Sequence, residues 1–233
     1  MTLKFSAMIL AAGFGKRMMP LTKDLPKPLI SINGKTLLEN SIIFLRKLGC
    51  KEIIINIHYQ HLKIQKFINT MQKNDDIILI FEKEILDTGG GVKNAIPYFK
   101  YKNILIINSD VYWRHENLFD AKKIIISYFH KQKPFLLLVN KNNSYGLIKN
   151  KGDFNLKKNK VYRFKNEDDI YFYSGLQIFN LDILKNFSDK KFSFNKIWDY
   201  LILKEKLCGQ IIQSKWYHVG DIKGLNIAKK LDS

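Results

Sequence analysis

The stretch Phe5-Ser-Ala-Met-Ile-Leu-Ala-Ala-Gly-Phe-Gly-Lys-Arg-Met18, with Leu25-Pro-Lys-Pro-Leu29 shortly after it, decides how this chain is read. The apolar run from Phe5 to Ala11 reads as a strand buried on both faces. The chain then turns through Gly13 and Gly15 into a segment carrying Lys16 and Arg17, and Lys27 follows Pro26. Glycines let backbone N–H groups approach an anion closely, and the three cations add charge. The reading is a phosphate-binding loop at the carboxyl end of a first parallel strand. An ordinary glycine turn bordered by solvated lysines is the plain alternative.

The chain beyond the loop repeats strand and helix. Leu37, Leu38, Ile42, Ile43, Leu45 and Leu48 lie at helical spacing within Thr36–Gly49, with Gly49 as a natural C-cap. Ile53–Ile57 reads as a second buried strand, Leu62–Met71 as a helix, and Ile77–Phe81 as a third strand ending at Glu82. Thr88-Gly-Gly-Gly91 opens a short helix to about Tyr98. Asn103–Asn108 is a fourth strand that delivers Ser109-Asp110, followed by a helix over Leu118–His130 and a strand over Phe135–Val139. This alternation predicts an α/β, Rossmann-like, three-layer fold with a mostly parallel sheet and ligands bound beyond the carboxyl ends of the strands. The Gly13 loop, His58-Tyr59, the segment from Glu82 to Gly91, and Asp110 all fall at those ends.

From Asn140 to Asp169 the pattern gives way to polar, Lys/Asn-rich sequence with weak strands near Gly146–Ile148 and Val161–Phe164, read as a small β excursion. Tyr171–Phe179 reads as a strand crossing the site, Phe194–Leu203 as a helix and Gln210–Ser214 as a last short strand. Trp216–Asp221 then leads into a terminal helix over Ile222–Leu231.

At 233 residues the chain can bury one sizeable core. The apolar region Phe5–Ala12 is too short for a signal peptide, and no run approaches the roughly 18 apolar residues of a membrane span. Cys50 and Cys208 are too isolated for a disulfide framework or a metal knuckle, which fits a reducing cytoplasm. The net charge of +18 raises the question of nucleic acid. Against it, arginine occurs only at positions 17, 46, 114 and 163, and the lysines are scattered. Nucleic-acid binding is therefore not expected, whereas long-range attraction of small anionic substrates is.

Two familiar phosphate loops are excluded. No Walker spacing occurs, and a dinucleotide fingerprint would need glycine where Met18 stands and an acidic residue that Ile53–Ile57 lacks. The pattern Ala11-Ala12-Gly13-x-Gly15-x-Arg17-Met18, with Pro26-Lys27-Pro28 downstream, resembles the signature of the sugar-phosphate nucleotidylyltransferases. The form Leu86-Asp-Thr-Gly-Gly-Gly91 and the segment Asn56-Ile-His-Tyr59 look most like the N-acetylmuramate-1-phosphate uridylyltransferases. The resemblance implies one nucleotidyltransferase domain over residues 1–233, with a nucleotide-binding half (1–139) and a sugar-binding, closing half (140–233). It further implies UTP and N-acetylmuramate 1-phosphate as the preferred substrates, a place in cell-wall sugar recycling, and Mg²⁺ as cofactor, with Mn²⁺ as an alternative; cytidylyl or guanylyl transfer to another phosphorylated sugar or phosphocholine, and a catalytically silent nucleotide-sugar-binding homologue, are the competing readings.

On this resemblance, Arg17, Lys27 and Asp110 are the catalytic candidates. Leu10, Ala11, Ala12, Gly13, Gly15, Glu82, Asp87, Thr88 and Gly89 would bind nucleotide. Trp113, Glu116, Tyr145, Gly146, Ser174 and Gly175 would hold the sugar; Tyr173 and Asn117 are further candidates, and a helix cap explains Asn117 equally well. A carboxylate such as Asp110, where a sheet opens to solvent, suits a hard cation. Ser109 stands where the family has the glycine of an Asn-Gly-Asp turn. Near the C-terminus the family's second metal carboxylate belongs to a Trp-x-Asp-x-Gly-Thr pattern. Here the run is Trp216-Tyr-His-Val-Gly-Asp221, so His218 ligates a metal, or Asp221 substitutes for it, or His218 contacts phosphate only.

Overall fold

The computed structural model describes residues 3–149, 151–165 and 170–231. Its frame is a nine-stranded sheet. The strands are β1 (Ser6–Leu10), β2 (Ile53–Ile57), β3 (Ile77–Phe81), β4 (Asn103–Asn108), β5 (Phe135–Asn140), β6 (Phe154–Lys157), β7 (Lys160–Arg163), β8 (Tyr171–Asn180) and β9 (Cys208–Ile211). Their order across the sheet is β3-β2-β1-β4-β8-β5-β9-β7-β6. The first four are parallel, in a register that sets Leu10 beside Asn56 and Asn108, and Asn56 beside Ile80. Their carboxyl ends are therefore level, and the loops leaving these strands meet along one edge.

β8 enters antiparallel between β4 and β5. β6 and β7 form a hairpin at the far edge, and β6 curls back to pair with β8 through Phe154 and Tyr171. That hairpin is the expected β excursion. No strand forms over 146–148; instead Ser144–Tyr145 pairs in parallel with Trp216–Tyr217. Residues 150 and 166–169 of the excursion lie outside the described residues. The last strand of the sheet forms two residues earlier than the sequence suggests, because Cys208–Ile211 is the run that pairs with Phe135–Leu138.

The sheet is covered on both faces because its strands are apolar on both. Ala7, Ile9, Ile53, Ile55, Leu105 and Ile107 face one core. That core is closed by α1 (Leu37–Lys47), α2 (His61–Thr70) and α4 (Asn117–Lys131). Met8, Ile54, Ile104 and Ile106 face the other, closed by α3 (Asp87–Asn94) and α5 (Phe194–Leu203). This alternation of one strand between two cores is the three-layer arrangement. A third cluster joins α6 (Ile222–Lys229) to the loop after β1: Met18 packs with Ile30, Val219, Leu225 and Ala228. The residue that broke the dinucleotide fingerprint is thus an apolar anchor for the C-terminal segment. Among the described residues, no helix is long and apolar enough to cross a membrane.

Candidate active site

The loop after β1 is held open by its own backbone and by its neighbours. Gly15 adopts φ +66°, a left-handed conformation that disfavours side chains, and its carbonyl accepts a hydrogen bond from Thr22 Oγ1 at 2.9 Å. Tyr59 Oη donates to the carbonyls of Thr22 and Lys23 at 3.0 Å. Pro26 starts a 3₁₀ turn over Lys27–Leu29 that turns Lys27 inward, where it is buried. Its Nζ reaches Asp110 Oδ2 at 3.0 Å. Asp110 follows β4, and Ser109 ties that turn to β1 by donating its Oγ to the carbonyl of Leu10 at 2.8 Å. The serine in the family's glycine position thus has a structural use.

His218 Nε2 stands 3.4 Å from the same Asp110 oxygen. Its backbone is fixed on both sides: its N–H donates to Tyr145 O at 2.8 Å, and Val219 N–H donates to Asp110 O at 2.8 Å. Its ring stacks on Trp216 at 5.7 Å, and a Cβ at position 220 would run into the imidazole. Burial pushes the Asp110 carboxyl up. The Lys27 ammonium and the His218 imidazole outweigh that and hold it well below the usual carboxylate range. Asp110 Oδ1 is buried and has no protein partner. Among the described residues no three His, Cys, Asp or Glu side chains gather as a cation cage. The free Oδ1 therefore fits a hard cation that takes one carboxylate oxygen and fills its shell with water and substrate oxygens.

Two cavities meet at this point. The first, of about 420 Å³, opens along the level strand ends and is lined by Leu10–Arg17, Lys27, Glu82, Asp87, Thr88 and Asp110 among others. The second, of about 300 Å³, is bounded by Lys149, Asp153, Tyr173, Gly175, Trp198 and His218, among others. Arg17, Asn108 and Asp110 line both. Behind the first cavity, Ala11 N–H donates to Asn56 Oδ1 at 3.0 Å and Asn56 Nδ2 donates to Glu82 Oε1 at 2.7 Å. Burial raises the Glu82 carboxyl, and the Asn56 hydrogen bond opposes the rise. Gly91 packs beneath this chain, where a Cβ would meet both side chains. Asp87 opens α3 with φ +61°, its Oδ1 accepting from Thr88 N–H at 2.6 Å.

The expected catalytic residues Arg17, Lys27 and Asp110 converge, as do Leu10, Ala11, Ala12, Gly13, Gly15, Glu82, Asp87 and Thr88 on the first cavity and Gly175 on the second. Gly89 lies elsewhere: it is small because Phe192 packs against it. Trp113 is a core residue, buried and stacked on Phe44 at 4.9 Å, so its ring does not reach sugar. Glu116 pairs with Arg114 at 3.0 Å and lines neither cavity. Asn117 is buried, accepting from Arg114 N–H and donating to Ser214 Oγ and Lys215 O. Tyr145 stacks on Tyr217 at 5.0 Å; it and Gly146, where a Cβ would strike the His218 carbonyl, support the backbone of His218 from behind. Ser174 is buried, and its carbonyl accepts from Trp216 Nε1 at 2.9 Å. Asp221 borders the second cavity but its Oδ1 caps α6, accepting from Gly224 N–H at 2.8 Å. As a metal ligand it has one oxygen already committed. His218 as placed faces the Asp110 carboxylate.

The sequence reading missed Asn56, Asn108, Lys149, Asp153, Asn195 and Trp198 as lining residues. Asn56 carried a local signal, a lone amide inside the apolar run Ile53–Ile57, and so did Asn108, the amide that ends the apolar run before Asp110.

The family model described as nucleotidyl transferase matches residues 6–232, and the chain belongs to that family. N-acetylmuramate alpha-1-phosphate uridylyltransferase of Caulobacter vibrioides is 29% identical over 226 residues, covering 92% of this chain and 91% of that one. D-glycero-alpha-D-manno-heptose 1-phosphate guanylyltransferase of Campylobacter jejuni is 34% identical over 107 residues, 46% of this chain and 48% of that one. The structure of the inositol-1-phosphate CTP transferase from T. maritima superposes with a TM-score of 0.78 at 15% identity, covering 98% of this chain and 96% of that one, a likeness of fold.

Proposed function

We propose that this nucleotidyltransferase joins a nucleoside triphosphate to a sugar 1-phosphate, with UTP and N-acetylmuramate 1-phosphate as the preferred pair. The observation that carries the reading is the pair of cavities sharing Arg17, Asn108 and Asp110, with Lys27 at their junction. The triphosphate occupies the first cavity, where the Gly13–Gly15 amides and Arg17 meet its anionic oxygens. The sugar 1-phosphate occupies the second. Its phosphate is already anionic near neutral pH and needs no general base. One of its oxygens bonds to the α-phosphorus as the α–β bridging bond breaks, and pyrophosphate leaves with the bond electrons. The chain's task is to bring two polyanions into line and offset their charge. Lys27 is placed to offset charge between the two phosphates, and Asp110 holds it there.

Mg²⁺, with Mn²⁺ as an alternative, would sit on Asp110 Oδ1 and supply charge neutralisation at the phosphate oxygens. The uridylyl and muramyl preferences rest on the Caulobacter relative, whose match spans nearly all of both chains. Such an enzyme serves cell-wall sugar recycling in the cytoplasm.

A second reading is guanylyl transfer to a heptose or mannose 1-phosphate. Glu82, a buried carboxylate on the nucleotide cavity, favours it. Guanine offers adjacent N–H donors to a carboxylate, whereas uracil flanks its one donor with acceptors. A matrix of four nucleoside triphosphates against N-acetylmuramate, heptose and mannose 1-phosphates, read by pyrophosphate release, separates the two. Release with UTP and N-acetylmuramate 1-phosphate alone supports the first reading; release with GTP and a neutral sugar supports the second. No release with any pair overturns both.

A further inference from the structure

β3 is an outer strand of the sheet: β2 pairs with one side of it, and among the described residues no strand pairs with the other. Its ladder fixes which backbone groups are left over. Ile53 N–H donates to Asp76 O at 2.8 Å, and Glu82 N–H donates to Ile57 O at 2.9 Å. Residues 76, 78, 80 and 82 therefore serve the ladder with β2, and Ile77, Leu79 and Phe81 direct their N–H and C=O groups outward. Ile77 N–H is met by Asn74 O at 2.9 Å. The other outward groups have no partner among the described residues. The two outer edges of the sheet also differ in kind. β6 carries Lys157, is followed by Lys158, and curls back to pair with β8. Charges and bends of that sort keep an edge from recruiting another strand. β3 has neither: Ile-Ile-Leu-Ile-Phe holds no charge, proline or glycine, pairs with β2 without a bulge, and leaves Phe81 46% exposed.

The charges at the two ends of β3 select the partner. Asp75 and Asp76 precede the strand, and Glu82, Lys83 and Glu84 follow it. Asp76 is already paired, its Oδ2 accepting from Arg46 Nε at 2.9 Å, and Glu82 is buried with its Oε1 on Asn56. Asp75, Lys83 and Glu84 are exposed. If a second copy is laid antiparallel about a two-fold axis at Leu79, Leu79 opposes its own counterpart and Ile77 opposes Phe81. Asp75 then falls level with Lys83 of the second copy, and the contact occurs twice. Glu84 comes within one residue of Lys73 of the second copy. The outward groups of residues 77, 79 and 81 are those that such a ladder uses. A slip of two residues either way sets Lys83 against Lys73 or Ile77 and loses the match. The edge is thus complementary to itself in one register, and each chain has one edge of this kind, so the pairing closes at two copies.

We propose that β3 is a self-pairing edge through which two copies of this chain join their sheets, antiparallel, into one continuous sheet. The test follows the molar mass of the intact chain by analytical ultracentrifugation over a concentration series at low salt. Wild type is expected to move from 27.4 kDa toward twice that mass as the concentration rises. Asp75→Lys and Lys83→Asp each set two like-charge contacts across the axis and should weaken the dimer about tenfold or more. The double variant Asp75→Lys/Lys83→Asp should recover it, because the opposite charges again face each other. Phe81→Lys, which puts a charge on the edge itself, should disperse the dimer. Urea unfolding of each variant separates a lost interface from a lost fold, since Asp75 and Lys83 are exposed and their reversal should leave the midpoint of the monomer in place. A wild-type chain that stays at 27.4 kDa up to about 1 mM overturns the proposal. So do dimers that neither single reversal weakens, a double variant that does not recover, and species that keep growing past two copies.

Discussion

Lys27 Nζ lies 3.0 Å from Asp110 Oδ2 although 83 residues separate them in the chain. The pair exists because a 3₁₀ turn points one residue inward and a buried strand ends at the other. Both side chains are largely buried. Removing one leaves the other charge stranded, which costs on the order of 3 kcal/mol. Lys27→Met is therefore expected to lose stability and to cut kcat at least about a hundredfold. Adding Asp110→Asn should restore part of the stability and none of the turnover, read by urea unfolding and pyrophosphate release. Near-normal turnover in Lys27→Met would remove its assigned role.

The same pair fixes a pH dependence. The native Asp110 carboxyl is held below its unfolded value, so its contribution to stability is fully present above the unfolded value of about 3.9. It is lost as the pH falls through the lower native value. The stability gap between wild type and Lys27→Met should thus be constant near neutrality and shrink below about pH 4. A gap that widened on acidification would contradict the assignment.

Cation binding should depend on Asp110 and not on Asp221. Asp110→Asn is expected to abolish Mn²⁺ binding to the nucleotide complex, followed by electron paramagnetic resonance. Asp221→Ala should keep it and lose only a helix cap, about 1 kcal/mol. Gly220→Ala should act like His218→Ala, because its Cβ displaces the imidazole. If Gly220→Ala had normal kinetics while His218→Ala did not, the ring's position would not be what matters.

Thr88 links the two cavities. It lines the first cavity, and its Oγ1 accepts from Phe194 N–H at 2.9 Å, at the start of the helix that carries Asn195 and Trp198 into the second cavity. Thr88→Val should weaken acceptor binding as well as nucleotide binding, severalfold in KM, and Thr88→Ser should rescue it. A Thr88→Val effect confined to the nucleotide would show that the helix does not depend on this bond.

Cys50 provides a check on the core. Burial pushes its thiol up to about 12. The native protein should resist iodoacetamide at this position at pH 8 and react once unfolded in urea. The raised native value means that the thiol's contribution to stability is present below its unfolded value of about 8.5 and lost as the pH climbs toward 12.

Much of this was local and therefore legible. Ile53–Ile57, Ile77–Phe81, Asn103–Asn108 and Phe194–Leu203 form over the residues their patterns indicate, because apolar residues at strand or helix spacing between turn residues have few other ways to be buried. The meeting of the glycine loop, Lys27 and Asp110 was legible because the loop and Asp110 leave neighbouring parallel strands and Lys27 follows the loop closely in sequence. Trp113, read as a sugar contact, packs in the core for a physical reason: an aromatic ring after a strand serves packing as readily as binding, and the sequence does not say which way it turns.

The sequence by itself determined the layered α/β frame, the loop and the two charged residues at its centre, since periodicity and residue chemistry act over a few positions. Only the tertiary structure decided that β8 would cross between β4 and β5, and that Trp198, Asp153 and Tyr173 would share a cavity wall. It also decided that His218 would face Asp110. These depend on which distant surfaces pack together, and packing energy belongs to the whole core, not to any one stretch of chain.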